Sequence, residues 1–228
     1  MTAMRWAGVF ACAALAIAPS GAWAHHAGTF TFKVSRDGAP IGAHRVTFRH
    51  DGGRVEIEAA MELKVSFAMV PVFRFRHQRH EIWQDGKPVL IDAWTDDDGR
   101  EYRITVRAHG EGFVRTVNDR VEKLDSSTRI LALWNQATVT SPPGSFASVI
   151  EDKTVDVGFH YLGKERMAIE GRELAVDHYQ MVGEEERDIW YDADGQVARV
   201  TFLRDGATIE YLRNEYHWVP LADPKFVQ

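Results

Sequence analysis

Cysteine is all but missing. Cys12 is the one cysteine, and it sits in an apolar run near the N-terminus. A chain cleaved beyond that run has no disulfide, no thiolate metal site and no cysteine nucleophile. Basic charge is also in deficit. Lys and Arg number 27 against 33 Asp and Glu, a formal net charge of −6. That balance argues against nucleic acid and anionic headgroups as partners unless a local patch reverses it. Beyond residue 24 no apolar run reaches the roughly 20 residues that a membrane-spanning helix needs. There is no Gly-x-Ser-x-Gly elbow, no glycine-rich phosphate cradle and no fixed-period repeat. The apolar share of 45% is ample for a core.

The N-terminus has the layout of a secretory signal. Arg5 supplies the basic start, Trp6 to Ala18 the apolar stretch, and Ala22-Trp23-Ala24 the small residues of a cleavage site. Cleavage after Ala24 leaves roughly 204 residues, a single exported domain over residues 25–228. It also makes His25 the new N-terminus, where amine and imidazole together suit Cu(II) in a nitrogen site.

The organisation beyond residue 24 is written in its turns. Asp-Gly occurs at 37–38, 51–52, 85–86, 98–99, 194–195 and 205–206, each flanked by alternating apolar and polar residues. This pair supplies the positive φ of tight hairpins, and the pattern predicts an antiparallel meander. The clearest strand is Arg54 to Phe67, with Val55, Ile57, Ala59, Met61, Leu63, Val65 and Phe67 on one face. Alternation that strict excludes a helix. Fourteen residues would span about 45 Å, so the sheet is expected to curl into an open or half barrel. The next strand, "PVFRFRHQRHEIW" (71–83), is expected to fold back around Ala68 and set Glu62 opposite Arg74, Glu58 opposite Gln78 and Glu56 opposite His80. "DSSTRILALWN" (125–135) predicts one short helix, N-capped by Asp or Ser. "TSPPGS" (140–145) predicts a loop. Strands resume at 154–161, 166–169 and 173–181, and a last meander covers 185–191, 196–203 and 208–213. Residues beyond Asn214 are expected to form a tail docked by Trp218, Leu221 and Phe226.

Four stretches, "FKVSRDGAPIGAHRVTF", "HEIWQDGKPVLIDAWTDDDGREYRITV", "TRILALWN" and "DIWYDADGQVARVTFLRDGATIEYL", follow the order of a family of exported proteobacterial proteins of unknown function. The resemblance spans about residues 28 to 213. It implies a periplasmic β-rich protein and supplies no catalytic residues. The general pattern also resembles periplasmic half-barrels that carry lipids, a likeness of fold alone.

Candidate chemistry is sparse. His77 and His80 in "HQRH" fall on opposite faces of a strand, so a shared metal would need a bulge. "TDDDGRE" (95–101) misses the spacing of a calcium loop, since glycine follows the third acid. Ser145 and Ser148 have no histidine nearby in sequence for a hydrolase triad. Glu56 and Glu58 share their face with Arg54 and Lys64, a solvated stripe. Aromatic residues remain, recurring on the strands. Phe73, Phe75, Trp83, Trp94 and Trp134 are the expected lining of an apolar interior. The resulting expectation is a non-enzymatic periplasmic protein, without a cofactor, that binds an apolar or lipid-like ligand or an envelope partner. A copper site at His25 and a hydrolase are the alternatives.

Overall fold

The computed structural model describes residues 25–68 and 70–220. The expected signal segment, and Leu221 and Phe226 of the expected tail, lie outside the described residues, as do the side chains of His25 and Trp218. In chain order the elements are β1 (His25–Arg36), β2 (Ala39–Asp51), β3 (Arg54–Phe67), β4 (Val70–Gln84), β5 (Lys87–Asp97), β6 (Arg100–His109), β7 (Gly112–Val117), β8 (Arg120–Leu124), β9 (Arg129–Ile130), α1 (Gln136–Val139), β10 (Gly144–Ala147), β11 (Thr154–Ile169), β12 (Arg172–Gly183), β13 (Arg187–Tyr191), β14 (Val197–Arg204) and β15 (Ala207–Pro220). All fifteen strands join one sheet in the order β8-β7-β6-β5-β4-β3-β2-β1-β15-β14-β13-β12-β11-β10-β9. Every neighbouring pair is antiparallel except β9 with β10.

The Asp-Gly turns largely do what their chemistry dictates. At Asp37-Gly38, Asp85-Gly86, Asp98-Gly99 and Asp205-Gly206 both residues have positive φ, the backbone that lets a two-residue turn follow the strand twist. Two of the six pairs differ. Asp51 stays in the ladder opposite Arg54, leaving Gly52 and Gly53 as the turn. Asp194-Gly195 belongs to a loop in which the Asp192 carboxylate accepts from the amides of Asp194 and Gln196, both at 3.0 Å.

The sheet curls strongly. β5 and β14 lie six places apart in the order, about 29 Å if flat at ~4.8 Å per strand. Yet Arg204 Nη2 donates to Asp97 Oδ2 at 3.3 Å. Tyr211 on β15 likewise reaches Met61 on β3 at 3.2 Å. The two edge strands, β8 and β9, share no ladder, so the barrel stays open. Side chains bridge the opening instead. Arg115 on β7, 3% exposed, donates to the carbonyl of Lys153 at 2.8 Å. Arg120 on β8 pairs with Asp152 at 2.5 Å.

The structure corrects several sequence expectations. The β3–β4 register is displaced by two residues: Glu62 faces Arg76, Glu58 faces His80 and Glu56 faces Ile82. The turn is centred one half-step beyond Ala68, and a shift between Val65 and Ser66 inserts one more residue into β4. The expected helix at 125–135 is absent. There, Ile130 and Ala132 join one core cluster while Leu131 and Leu133 pack on another. That alternation is extended chain, not one helical face. The helix comes later, at Gln136–Val139, with Asn135 as its cap accepting from the Ala137 amide at 3.0 Å. The stretch through Pro220 is no tail but the end of β15, paired along β1. β8 was not expected, and the two predicted strands within 154–169 are one, broken by a bulge between Tyr161 and Gly163.

Most of the core lies on the concave face, where the segment around residues 129–135 crosses it. A fourth cluster, of Ile169, Val176, Trp190 and Ala198, covers the opposite face, since Trp190 alternates with inward Ile189 and Tyr191.

Candidate ligand cavity

Strand alternation places three consecutive inward positions of β4, His77, Arg79 and Glu81, on the concave surface. Across the ladder, His77 continues a row from Phe32, His44 and Met61 to Thr95. Arg79 lies between Ala59 and Ala93, whose small side chains leave room for a guanidinium. Glu81 lies between Ile57 and Ile91 and is 1% exposed. A carboxylate there needs partners, and it has three. Trp83 Nε1 donates to it at 2.6 Å, Trp134 Nε1 at 3.1 Å, and Arg79 Nε lies 2.6 Å away. The two indoles meet edge to face at 5.2 Å. Glu81 thus ties the crossing segment to the sheet.

The two histidines are held uncharged. Burial, then the Arg79 charge, lowers His44 to about 3. The same two causes in that order, followed by His44, lower His77 to about 2. His77 Nδ1 shares a hydrogen bond with Thr95 Oγ1 at 2.9 Å. His44 Nε2 is enclosed and has no hydrogen-bond partner.

Between the sheet and the crossing segment lies a cavity of about 370 Å³. Phe30, Phe32 and Phe48 form one wall, and Leu131, Leu133 and Trp134 the other. Its polar positions include His44, Arg79, Arg187 and Tyr211. Along β2 it runs from His44 to His50, six residues or about 20 Å.

The residues singled out from the sequence scatter. Trp134 borders the cavity. Trp83 and Phe75 face the concave side but are packed into the core, Phe75 with Met61, Leu63 and Ile209. Phe73 is partly buried beneath the Arg204 guanidinium, 5.7 Å from its ring. Trp94 is placed on the wrong face by the sequence reading. Ile91, Ala93 and Thr95 are buried on the concave face of β5 while Trp94, between them, is only partly buried, so Trp94 points outward, with Arg76 5.2 Å from its ring. His77 and His80 do part to opposite faces, His80 bonding Glu56 at 2.8 Å. Among the described residues no cluster of three His, Cys, Asp or Glu side chains is arranged to hold a metal. The backbone of His25 pairs with Asp51 in the β1–β2 ladder. Ser148 Oγ accepts from the amides of Ile150 and Glu151, and Ser145 donates to Asp156. The sequence reading missed Arg79, Glu81 and His44 as site residues, although the alternation that places Phe75 and Trp83 inward carries Arg79 and Glu81 with them. It also missed an outer-face cluster in which His178 bridges Glu165 at 2.6 Å and Asp188 at 2.9 Å.

Residues 32–214 match the family described as Domain of unknown function (DUF6134). The chain belongs to this family. The match holds β2 through β14 entire, and with them every residue of the Glu81 hub. No curated protein matches the DUF6134 chain. Its fold is similar to the crystal structure of a beta-barrel-like protein of domain of unknown function DUF1849 from Brucella abortus, at a TM-score of 0.58 and 10% identity. The alignment covers 85% of this chain and 97% of the Brucella chain. At that identity the likeness is one of fold.

Proposed function

We propose that this DUF6134 protein is an exported, non-enzymatic binding protein that holds one elongated apolar ligand in the cavity between its curled sheet and the 129–135 segment. The observation that supports this most is the cavity itself. Its volume of about 370 Å³ falls within the range of small-molecule sites, and most of its wall is aromatic or aliphatic. Its length of about 20 Å suits a single acyl chain, since each leaflet of a bilayer allots about 15 Å to its chains. The layout of the first 24 residues supports export, and with it encounter with envelope lipids.

A chain-length series tests the reading. Primary alkanols of increasing length are titrated against a neutral fluorescent probe bound to the mature protein. Each methylene that enters the cavity is worth about 0.8 kcal/mol, or roughly fourfold in affinity. Affinity is expected to climb by that factor per carbon and level off once the cavity is filled. A flat series would remove the cavity as the ligand site. Native mass spectra of the protein from the periplasm give the complementary measurement, and a lipid-like adduct is the expected result.

A further inference from the structure

We propose that the ligand carries a carboxylate, received by Arg79 with His44 beside it; this rests on the interior cavity being the ligand site. Two arginines border the cavity, and they are differently engaged. Arg187 donates to Glu185 through both Nε, at 3.2 Å, and Nη2, at 2.6 Å, and lies 4.5 Å from the Phe202 ring. Arg79 Nε lies 2.6 Å from Glu81 Oε1 but makes no hydrogen bond. A guanidinium has five N–H donors, and among the described residues none of those of Arg79 makes a hydrogen bond. Its side chain is 12% exposed and borders the cavity.

The second observation is independent of the arginine. His44 Nε2 is enclosed and unpartnered, with its ring 5.8 Å from Phe32 and 6.0 Å from Tyr211. A buried polar atom left unpaired is costly, and a ligand that pairs it recovers that cost. A guanidinium fork and a neutral imidazole N–H together match the two oxygens of one carboxylate. The charge balance selects a monoanion. Glu81 already offsets part of the Arg79 charge, Asp194 also borders the cavity, and His44 is uncharged, so a phosphate dianion would leave excess negative charge in an apolar enclosure. Beyond this polar spot the walls return to Phe30, Phe48, Ile57 and Leu133, as an alkyl tail requires.

The test compares head groups on one alkyl chain: carboxylate, primary alcohol, methyl ester and phosphate. Each displaces the same neutral probe from the mature protein at mildly alkaline pH. The carboxylate is expected to bind about 10- to 100-fold more tightly than the alcohol and ester, the worth of a charge-assisted hydrogen bond. His44→Phe, in protein that melts cooperatively, is expected to narrow that gap several-fold. Equal binding of carboxylate and alcohol would overturn the head-group assignment while leaving the cavity as the site. Tighter binding of the phosphate would also overturn it. Failure of every compound to displace the probe would overturn the cavity reading itself.

Discussion

Replacing Glu81 by Gln tests whether a buried hub holds the crossing segment to the sheet. The carboxylate is 1% exposed, and its partners are Arg79 and the indoles of Trp83 and Trp134. The amide is neutral, so the Arg79 guanidinium loses its counter-charge in an enclosed site. One amide oxygen can accept from an indole, but the amide NH2 then points a donor at another donor. Breaking a buried ion pair by removing one partner costs about 3–5 kcal/mol. In a domain of this size each kcal/mol shifts Tm by about 2–4 °C, so a fall of about 6–20 °C is expected. Urea unfolding followed by tryptophan fluorescence reads the same loss as a lower midpoint at unchanged slope. The double variant Glu81→Gln/Arg79→Met removes both charges, and it is expected to recover a large part of the loss. A single variant within about 1 kcal/mol of the parent would refute the hub. So would a double variant whose loss equals the sum of the two singles.

Two further predictions concern stability. His44 and His77 stay neutral in the folded protein down to about 3 and about 2, while in the unfolded chain they titrate near 6.5. Below pH ~6.5 the unfolded state therefore binds more protons, and the stability present above that pH is lost as the pH falls. Where both groups contribute, the slope approaches about 2.7 kcal/mol per pH unit. Urea midpoints between pH 7 and pH 5 are expected to fall, and to fall less in His44→Phe/His77→Phe; parallel profiles would count against the assignment. That window stays above the range in which carboxylates such as Asp96, held down by its Arg76 hydrogen bond, add their own loss. Arg115→Leu removes the bond from β7 to the 148–153 segment and leaves Glu122, its partner at 2.5 Å, without that cation. A loss of about 1–3 kcal/mol is expected from the carbonyls left without their donor, since Glu122 keeps Arg120 as a partner, with hydrogen exchange quickening first at residues 148–153. Exchange that quickens uniformly along the chain would argue against a local latch.

What the sequence determined by itself was everything governed by neighbours in the chain. Period-two alternation from Arg54 to Phe67 defined β3 to the residue and put Ile57, Ala59, Met61 and Leu63 in the core. Asp-Gly chemistry marked the hairpins, because a positive φ is a property of the turn residues alone. The length of β3 required the sheet to curl. What only the tertiary structure decided were features in which distant segments compete for the same space. The β3–β4 register shifted by two because the turn is centred half a step beyond Ala68 and a bulge adds one residue to β4, and neither is visible in the alternation of β3. The apolar stretch Ile130–Trp134 reads equally as helix or extended chain, and it became extended because two separate clusters claim its alternate residues. Trp94 turned outward because both faces of β5 carry apolar residues, and the curl buries the face with Ile91 and Ala93. Arg79 and Glu81 were legible as inward residues but not as a buried pair. Their burial depends on Trp134, which arrives from more than fifty positions away in the chain. The opening of the barrel is bridged in the same way, since Arg115 and Lys153 are strangers in sequence and become partners only when the sheet has curled.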